Sequence, residues 1–310
     1  GGPVAGPPRS VFHYAMQATM RRAAALGVSA DRITLNVAAV EVLPDEEVRA
    51  FLHRAVGYTL TGENVEEVMF ILLGPGSNGK SKLLETLRLV LGPFSQSAPT
   101  ALLMQNFMDR IPADLARLPG ARFVTVMESE RGQRLAEGTI KALTSGDTIS
   151  ARGLYQNPFD FSPTCKIWLA TNHLPQIKGD DDGIWRRLLL INFDQRISPA
   201  QRDRHLLAKL RTELPGILRW AVEGCNAWQD RGLDPPASVH KAVAEYRQQE
   251  DVVGQFLKDC TAAGDFASTD DLFNAYKRWC ERCGINYPLT LITLGKAIAE
   301  RGFKDDRKDV

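Results

Sequence analysis

Residues Gly74-Pro75-Gly76-Ser77-Asn78-Gly79-Lys80-Ser81 satisfy the spacing G-x-x-x-x-G-K-[ST], and the residue types suit a phosphate chain. Gly74, Gly76 and Gly79 permit backbone torsions that a Cβ obstructs. With Pro75, Ser77 and Asn78 between them, consecutive N–H groups can turn toward one point. Lys80 adds a cation within reach of the β and γ phosphates, and the Ser81 hydroxyl can join a Mg²⁺ shell. An amine with that task is expected to face solvent until nucleotide binds. The pattern implies ATP and Mg²⁺ as cofactors and nucleoside triphosphate hydrolysis as the chemistry.

Two further sites supply groups that such chemistry needs. Arg122-Phe123-Val124-Thr125-Val126-Met127 is an apolar run that ends in Glu128-Ser129-Glu130, placing acids where they can hold Mg²⁺ and polarise an attacking water. Glu128, directly at the run's end, is the stronger metal and base candidate, although an acidic surface loop has the same composition. Lys166-Ile167-Trp168-Leu169-Ala170-Thr171-Asn172 ends a second run in an amide that could sense the γ-phosphate.

These groups must be positioned by strand ends. Met69–Leu73, Arg122–Met127, Lys166–Thr171 and Arg187–Phe193 have strand length, and helical patterns alternate with them, which predicts a parallel sheet with covering helices. The loop then lies on a strand-to-helix turn, because Lys82–Leu91 carries apolar residues at helical spacing. Residues 1–10 are rich in glycine and proline and read as linker or tag, which with the missing initiator Met suggests a fragment. Residues 11–67 read as a helical segment, with Pro44-Asp45-Glu46-Glu47 opening a helix through Leu52. Residues 68–235 form the core, Pro235-Pro236 breaks the pattern, and 236–310 form a small helix-rich domain. In it, Asp270–Cys280 and Leu291–Phe303 suggest two amphipathic helices of a helix-turn-helix or winged-helix module.

Composition narrows the function classes. The chain has 310 residues, 44% hydrophobic, and a formal net charge of +1, so nucleic-acid contacts must come from local patches. Five scattered cysteines do not make a disulfide framework and fit a reducing, cytoplasmic compartment. Cys280-Glu281-Arg282-Cys283 lacks a second ligand pair and reads as helix packing before zinc. No apolar stretch reaches membrane-spanning length, so no membrane partner is expected.

In combination, Gly74–Ser81, Glu128-Ser129-Glu130, Lys141-Ala142-Leu143-Thr144-Ser145-Gly146-Asp147, Tyr155, Pro158, Phe161, Asn172 and Trp185-Arg186-Arg187 resemble the superfamily III helicases. The pattern is closest to the helicase half of phage and plasmid primase-helicases related to the poxvirus primase-helicase, over about residues 45–195. Here the strand-end acids are split as Glu-x-Glu rather than adjacent, which leaves open how Glu128 and Glu130 divide the work. The resemblance implies an AAA+-like core, a homo-oligomeric ring expected to be a hexamer, single-stranded or forked DNA as partner, and a primase-polymerase domain in the parent chain. It also implies a bacterial host cytoplasm and replication of a phage, plasmid or integrated element.

A ring places the site between subunits, so Arg186 and Arg187 become candidates for an arginine finger; salt bridges to Asp180, Asp181 or Asp182 are the alternative. Ile149 to Pro158 reads as two extended pieces around Gly153. In the resembled family this region grips DNA, with Lys141, Arg152 and Tyr155 here supplying charge and a stacking face. Packing of Tyr155 on Phe159 and Phe161 is equally compatible with the sequence. A phosphate-loop kinase and an initiator that uses ATP as an assembly switch are the competing functions.

Overall fold

The structure is a computed structural model that describes residues 41–105, 113–129, 132–153, 155–178, 181–261, 267–285 and 288–303. The expected linker at 1–10, residues 11–40 of the helical segment, Glu130 and Asp180 lie outside the described residues. Those described fall into two compact units, divided between Val243 and Ala244.

In the first unit, α1 (Glu46–Thr59) is followed by β1 (Met69–Leu73) and α2 (Lys80–Leu91). Asp45 caps α1 by accepting from the Glu47 and Val48 amides, and Glu46 and Glu47 place negative charge in its first turn. The helix passes the expected stop at Leu52 because Ala55, Val56 and Tyr58 continue its buried face. Then come β2 (Ser95–Ala98), β3 (Phe123–Met127), α3 (Glu137–Ser145), the hairpin strands β4 (Ile149–Ala151) and β5 (Phe159–Phe161), β6 (Lys166–Thr171), α4 (Asp182–Trp185) and β7 (Leu188–Asn192). Helices α5 (Leu206–Thr212), α6 (Leu214–Arg231) and α7 (Ala237–Glu250) follow.

The main sheet has five strands in the order β2-β3-β6-β1-β7, all pairings parallel, as the alternating pattern predicts. Four of its strands are those read from apolar runs. The fifth, β2, is Ser95-Gln96-Ser97-Ala98, an edge strand with too little apolar content to register as one.

The core joins one face of this sheet to α1 and α6. Trp168 stacks on Phe70 at 4.3 Å between ring centroids, and its indole N–H donates to Thr59 Oγ1 at 3.1 Å. Helices α1 and α6 approach so closely that a Cβ on Gly57 would lie 2.0 Å from the Cys225 amide nitrogen, and one on Gly224 would lie 2.1 Å from the His53 carbonyl oxygen. Glycine at both positions therefore sets the depth of the helical layer behind the sheet.

The unit boundary falls inside α7, eight residues or so beyond the Pro235-Pro236 break, because the first turns of that helix bury Val239 in the core of the first unit. The second unit contains α8 (Val252–Cys260), α9 (Thr269–Arg282) and α10 (Leu291–Glu300). Phe256, Tyr276, Trp279, Cys280, Leu294 and Ile298 form its core. The Cys280 thiol is part of that packing, whereas Cys283 is exposed. Among the described residues no helix is long and apolar enough to cross a membrane.

Candidate functional site

Strand order brings the chemistry together. β1 and β6 are neighbours, β6 and β3 are neighbours, and all run the same way, so the loop after β1, Asn172 after β6 and Glu128 after β3 emerge at one edge of the sheet. They line one pocket of about 230 Å³ together with Lys80, Ser81 and Met127.

The loop is held in shape by its own backbone and by the strands beside it. The Gly74 amide donates to Thr171 O at 3.2 Å and the Gly76 amide to Gly74 O at 2.9 Å. Gly76, Ser77 and Gly79 all have positive φ (57°, 54° and 86°). Such torsions turn successive amides inward, and Ser77 adopts one despite its side chain. A Cβ on Gly74 would lie 2.4 Å from Phe193 O and 2.2 Å from Asn78 Nδ2, so that position accepts only glycine. Asn78 is buried and donates to Phe193 O at 2.9 Å, which fastens the loop to the end of β7. Gly79 begins α2 without a side-chain cap, leaving that helix's first amides available for an anion.

Lys80 departs from expectation. It is 4% exposed rather than solvent-facing. Its ammonium donates to Gly74 O at 2.6 Å, Asn78 Oδ1 at 3.0 Å and Asn172 Oδ1 at 3.3 Å. These neutral acceptors compensate burial only in part, so desolvation lowers its pKa. The Asn172 side-chain oxygen also accepts the Gly76 amide at 3.2 Å, so the amide at the end of β6 touches both the loop backbone and its lysine.

Glu128 is exposed at the end of β3 with φ of 58°, a conformation that turns its side chain out of the strand direction. Its amide donates to Ala170 O at 2.8 Å, and its carbonyl accepts the Thr100 hydroxyl at 2.9 Å. Ser129, next in the chain, is buried. Its hydroxyl lies 2.6 Å from that of Thr171, and both reach His173 O at 2.7 Å. This hydroxyl pair fastens the end of β3 to the end of β6 and so fixes Glu128 relative to Asn172. Nothing in the apolar run signals it, because a serine between two glutamates looks like surface. The Ser81 hydroxyl and Glu128 carboxylate on one pocket are hard oxygen donors of the kind Mg²⁺ takes, so the residues present fit that ion.

A larger cavity of about 580 Å³ adjoins the loop, sharing Ser77, Gly79 and Lys82 with the first pocket. Val42, Leu43, Leu83, Phe193, Ile197 and Leu206 give it an apolar wall.

The two arginines have different situations, and among the described residues neither makes the alternative salt bridge to Asp181 or Asp182. Both donate to the same oxygen, Glu67 Oε2, Arg186 at 2.9 Å and Arg187 at 2.8 Å. Arg187 is fixed further by Thr144 Oγ1 at 3.1 Å and Gly183 O at 2.6 Å, and its side chain is 8% exposed against 64% for Arg186. Arg187 is thus a pin within the chain, and Arg186 is the one presented to solvent. Glu67 precedes β1 with φ of 51°, and sequence alone does not single it out.

A hairpin forms, but its second strand lies beyond the span read from sequence: β4 pairs antiparallel with β5 (Phe159–Phe161), not with residues before Pro158, in register Ala151↔Phe159. Arg152 Nε donates to Gln156 O at 3.1 Å across its loop. Tyr155 is 100% exposed, so it does not pack on Phe159 and Phe161, which instead face each other at 6.1 Å. Lys141 belongs to α3 and is bonded to Asp181, whose carboxyl it holds below the usual range. The charge of Lys141 is therefore engaged, while Arg152 and Tyr155 share the hairpin tip.

A family of unknown function (DUF5906) matches residues 72–187, and a "Poxvirus D5 protein-like" family matches residues 248–309. "Putative helicase L207/L206" of Acanthamoeba polyphaga mimivirus is 32% identical, covering 77% of this chain and 27% of that protein. "Putative helicase 022R" of frog virus 3 is 28% identical with the same coverage. "Putative primase C962R" of African swine fever virus is 25% identical over 48% of this chain and 16% of that protein. The chain thus spans about a quarter of the length of the two helicase-named relatives. Among solved structures, the apo structure of the NrS-1 C-terminal region superposes with a TM-score of 0.55 at 12% identity, covering 75% of this chain and 60% of that one, which is a likeness of fold.

Proposed function

This chain carries a superfamily III-like primase-helicase domain, and from that premise we propose that it is an ATP-driven DNA helicase motor serving replication of a phage, plasmid or integrated element. The observation that carries the proposal is the single pocket lined by the Gly74–Ser81 loop, Glu128 and Asn172. In this reading the loop amides and α2 take the β and γ phosphates, the base enters the apolar cavity, and Lys80 exchanges its loop acceptors for phosphate oxygens. Water adds to the γ phosphorus as the bond to the β–γ bridging oxygen breaks. Glu128 accepts the water's proton, and Asn172 orients the attack. Ser81 and Glu128 would hold Mg²⁺, which when bound would supply positive charge to the phosphate oxygens.

Arg186 is the finger candidate for a neighbouring subunit, because its exposed guanidinium is carried on a turn that Arg187 holds rigid. The ring, expected to be a hexamer, passes single-stranded DNA along the hairpin tips, where Tyr155 offers a stacking face and Arg152 a charge. A primase-polymerase domain in the parent chain and a site of action in the host cytoplasm complete the proposal.

Phosphate release with and without single-stranded DNA, strand separation on a forked duplex, and particle mass with an ATP analogue test it together. The double variant Arg152→Ala with Tyr155→Ala should keep basal hydrolysis and lose DNA stimulation and unwinding. Turnover that demands a phosphoryl acceptor would indicate a kinase instead. Slow turnover without unwinding would indicate an assembly switch.

A further inference from the structure

A strap after β7 touches the phosphate loop at three points. Phe193 O accepts Asn78 Nδ2 at 2.9 Å, the Ile197 amide donates to Ser77 O at 2.9 Å, and Arg202 donates through Nη2 to Ser77 Oγ at 2.7 Å. The first two are ordinary fastenings between neutral groups. The third is a guanidinium spent on a serine hydroxyl. Among the described residues Arg202 has no carboxylate partner, and its side chain is exposed. The adjacent Asp203 is not its partner either: it binds Lys209 Nζ at 2.7 Å and accepts the His205 amide at 2.8 Å, and these contacts hold its carboxyl below the usual range.

The turn before Arg202 is built rigidly. Ser198 and Gln201 form a reciprocal cap around Pro199–Gln201, with Ser198 Oγ 2.7 Å from Gln201 Oε1, and this sets the direction in which Arg202 leaves. Arg202 therefore stands at the wall shared by the apolar cavity and the loop, where both Ser77 and Lys82 also lie. A planar, permanently charged fork held by one neutral hydroxyl is matched to a phosphate oxygen, which it would bind far more strongly than a serine.

We propose that Arg202 is a nucleotide-binding residue supplied by the same chain as the loop, gripping the phosphate chain on its nucleoside side. The proposal rests on the reading of the loop as a nucleotide site. Binding exchanges the Ser77 hydroxyl for a phosphate oxygen, so the strap closes on bound nucleotide rather than on the loop alone. A residue that faces its own loop complements Arg186, which faces outward.

Equilibrium titration with a fluorescent ATP analogue and Mg²⁺, alongside steady-state hydrolysis, tests it on the full chain. Arg202→Ala should bind ATP and ADP about 10- to 100-fold more weakly, the range expected for losing a charge-assisted contact. KM should rise with it while kcat at saturation stays within about threefold. Arg202→Lys should recover part of the affinity, since it keeps the charge and loses the fork. Unchanged ATP and ADP affinity in a folded Arg202→Ala protein overturns the proposal. So does a fall in kcat with affinity intact, because Arg202 would then only prop the loop. Failure of the unaltered chain to bind any nucleotide overturns this proposal and the parent reading together, which separates that case from the first two.

Discussion

Lys80 and Lys166 are both buried amines at one parallel sheet, the first at the start of α2 beside the carboxyl ends of the strands and the second within β6 at the amino ends. Lys80 donates to Gly74 O, Asn78 Oδ1 and Asn172 Oδ1, acceptors that belong to a loop and a strand end lining a pocket. Lys166 opens β6. It donates to Thr61 O at 2.9 Å and lies 4.5 Å from the centre of the Tyr58 ring, inside the closed layer beneath α1. Desolvation lowers the pKa of each, for Lys166 to about 7. The difference lies in what surrounds the acceptors. An amine whose acceptors face a cavity can trade them for a ligand, whereas one sealed under a helix can only hold chain segments together or lose its proton.

The sharpest break of this comparison is kinetic. Lys80→Ala should reduce phosphate release by at least about 10²-fold, the scale of removing one preorganised charge contact. Lys166→Met should leave turnover within a few fold. Comparable losses in both would mean that the amino end of the sheet also serves catalysis.

Next in size is Glu128→Gln, for which hydrolysis should slow by about 10²-fold while nucleotide affinity is kept. Should affinity fall instead, Glu128 would be acting chiefly as a metal ligand, and the carboxyl-end pocket would have to find its base elsewhere.

The arginines sharpen the comparison at the start of β7. Arg187→Ala should cost about 2–3 kcal/mol in denaturant unfolding, because it removes a nearly buried guanidinium that ties Glu67, Thr144 Oγ1 and Gly183 O together and leaves a gap among them. Arg186→Ala should unfold like the parent and lose turnover, with partial recovery when mixed with Lys80→Ala, since each defective subunit lends its intact half to a shared site. No recovery between subunits that exchange would confine the site to one chain.

The smallest effect is on pH dependence. The folded-state pKa of Lys166 lies below its unfolded value, so between about pH 7 and the usual lysine range the unfolded chain holds more protons. Stability should therefore rise with pH across that window, the cost of the buried cation being full below it. Lys166→Met should flatten this rise in unfolding midpoints measured at several pH values. An unchanged slope would assign the rise to other groups.

Much of the sheet was legible because four of its strands are buried on both faces, and continuous runs such as Phe70-Ile71-Leu72 and Ile167-Trp168-Leu169 mark such strands. β2 was not, since an edge strand of Ser-Gln-Ser-Ala buries too little to leave a pattern. The loop, Glu128 and Asn172 could be placed near one another from strand ends alone. The burial of Lys80 could not, because it depends on Asn78 and Asn172 arriving at the same point from residues far apart in the chain. Glu67, Ser129 and Arg202 were hidden for the same reason: each is an ordinary surface type until topology supplies its partner.

The strand order also governs when the site can come into being. β1 leads directly into the phosphate loop, yet its hydrogen-bonded neighbours are β6 and β7, with Phe70 aligned to Trp168 on one side and Leu189 on the other. During synthesis the loop motif leaves the ribosome long before either neighbour exists. It has no Asn172 to touch and no Phe193 carbonyl to hold Asn78 until β7 has followed. Such long-range parallel pairing is slow to form. A nascent chain thus carries the full nucleotide motif without a nucleotide site, and ribosome-bound chains should gain ATP-analogue binding only once residues through β7 have emerged.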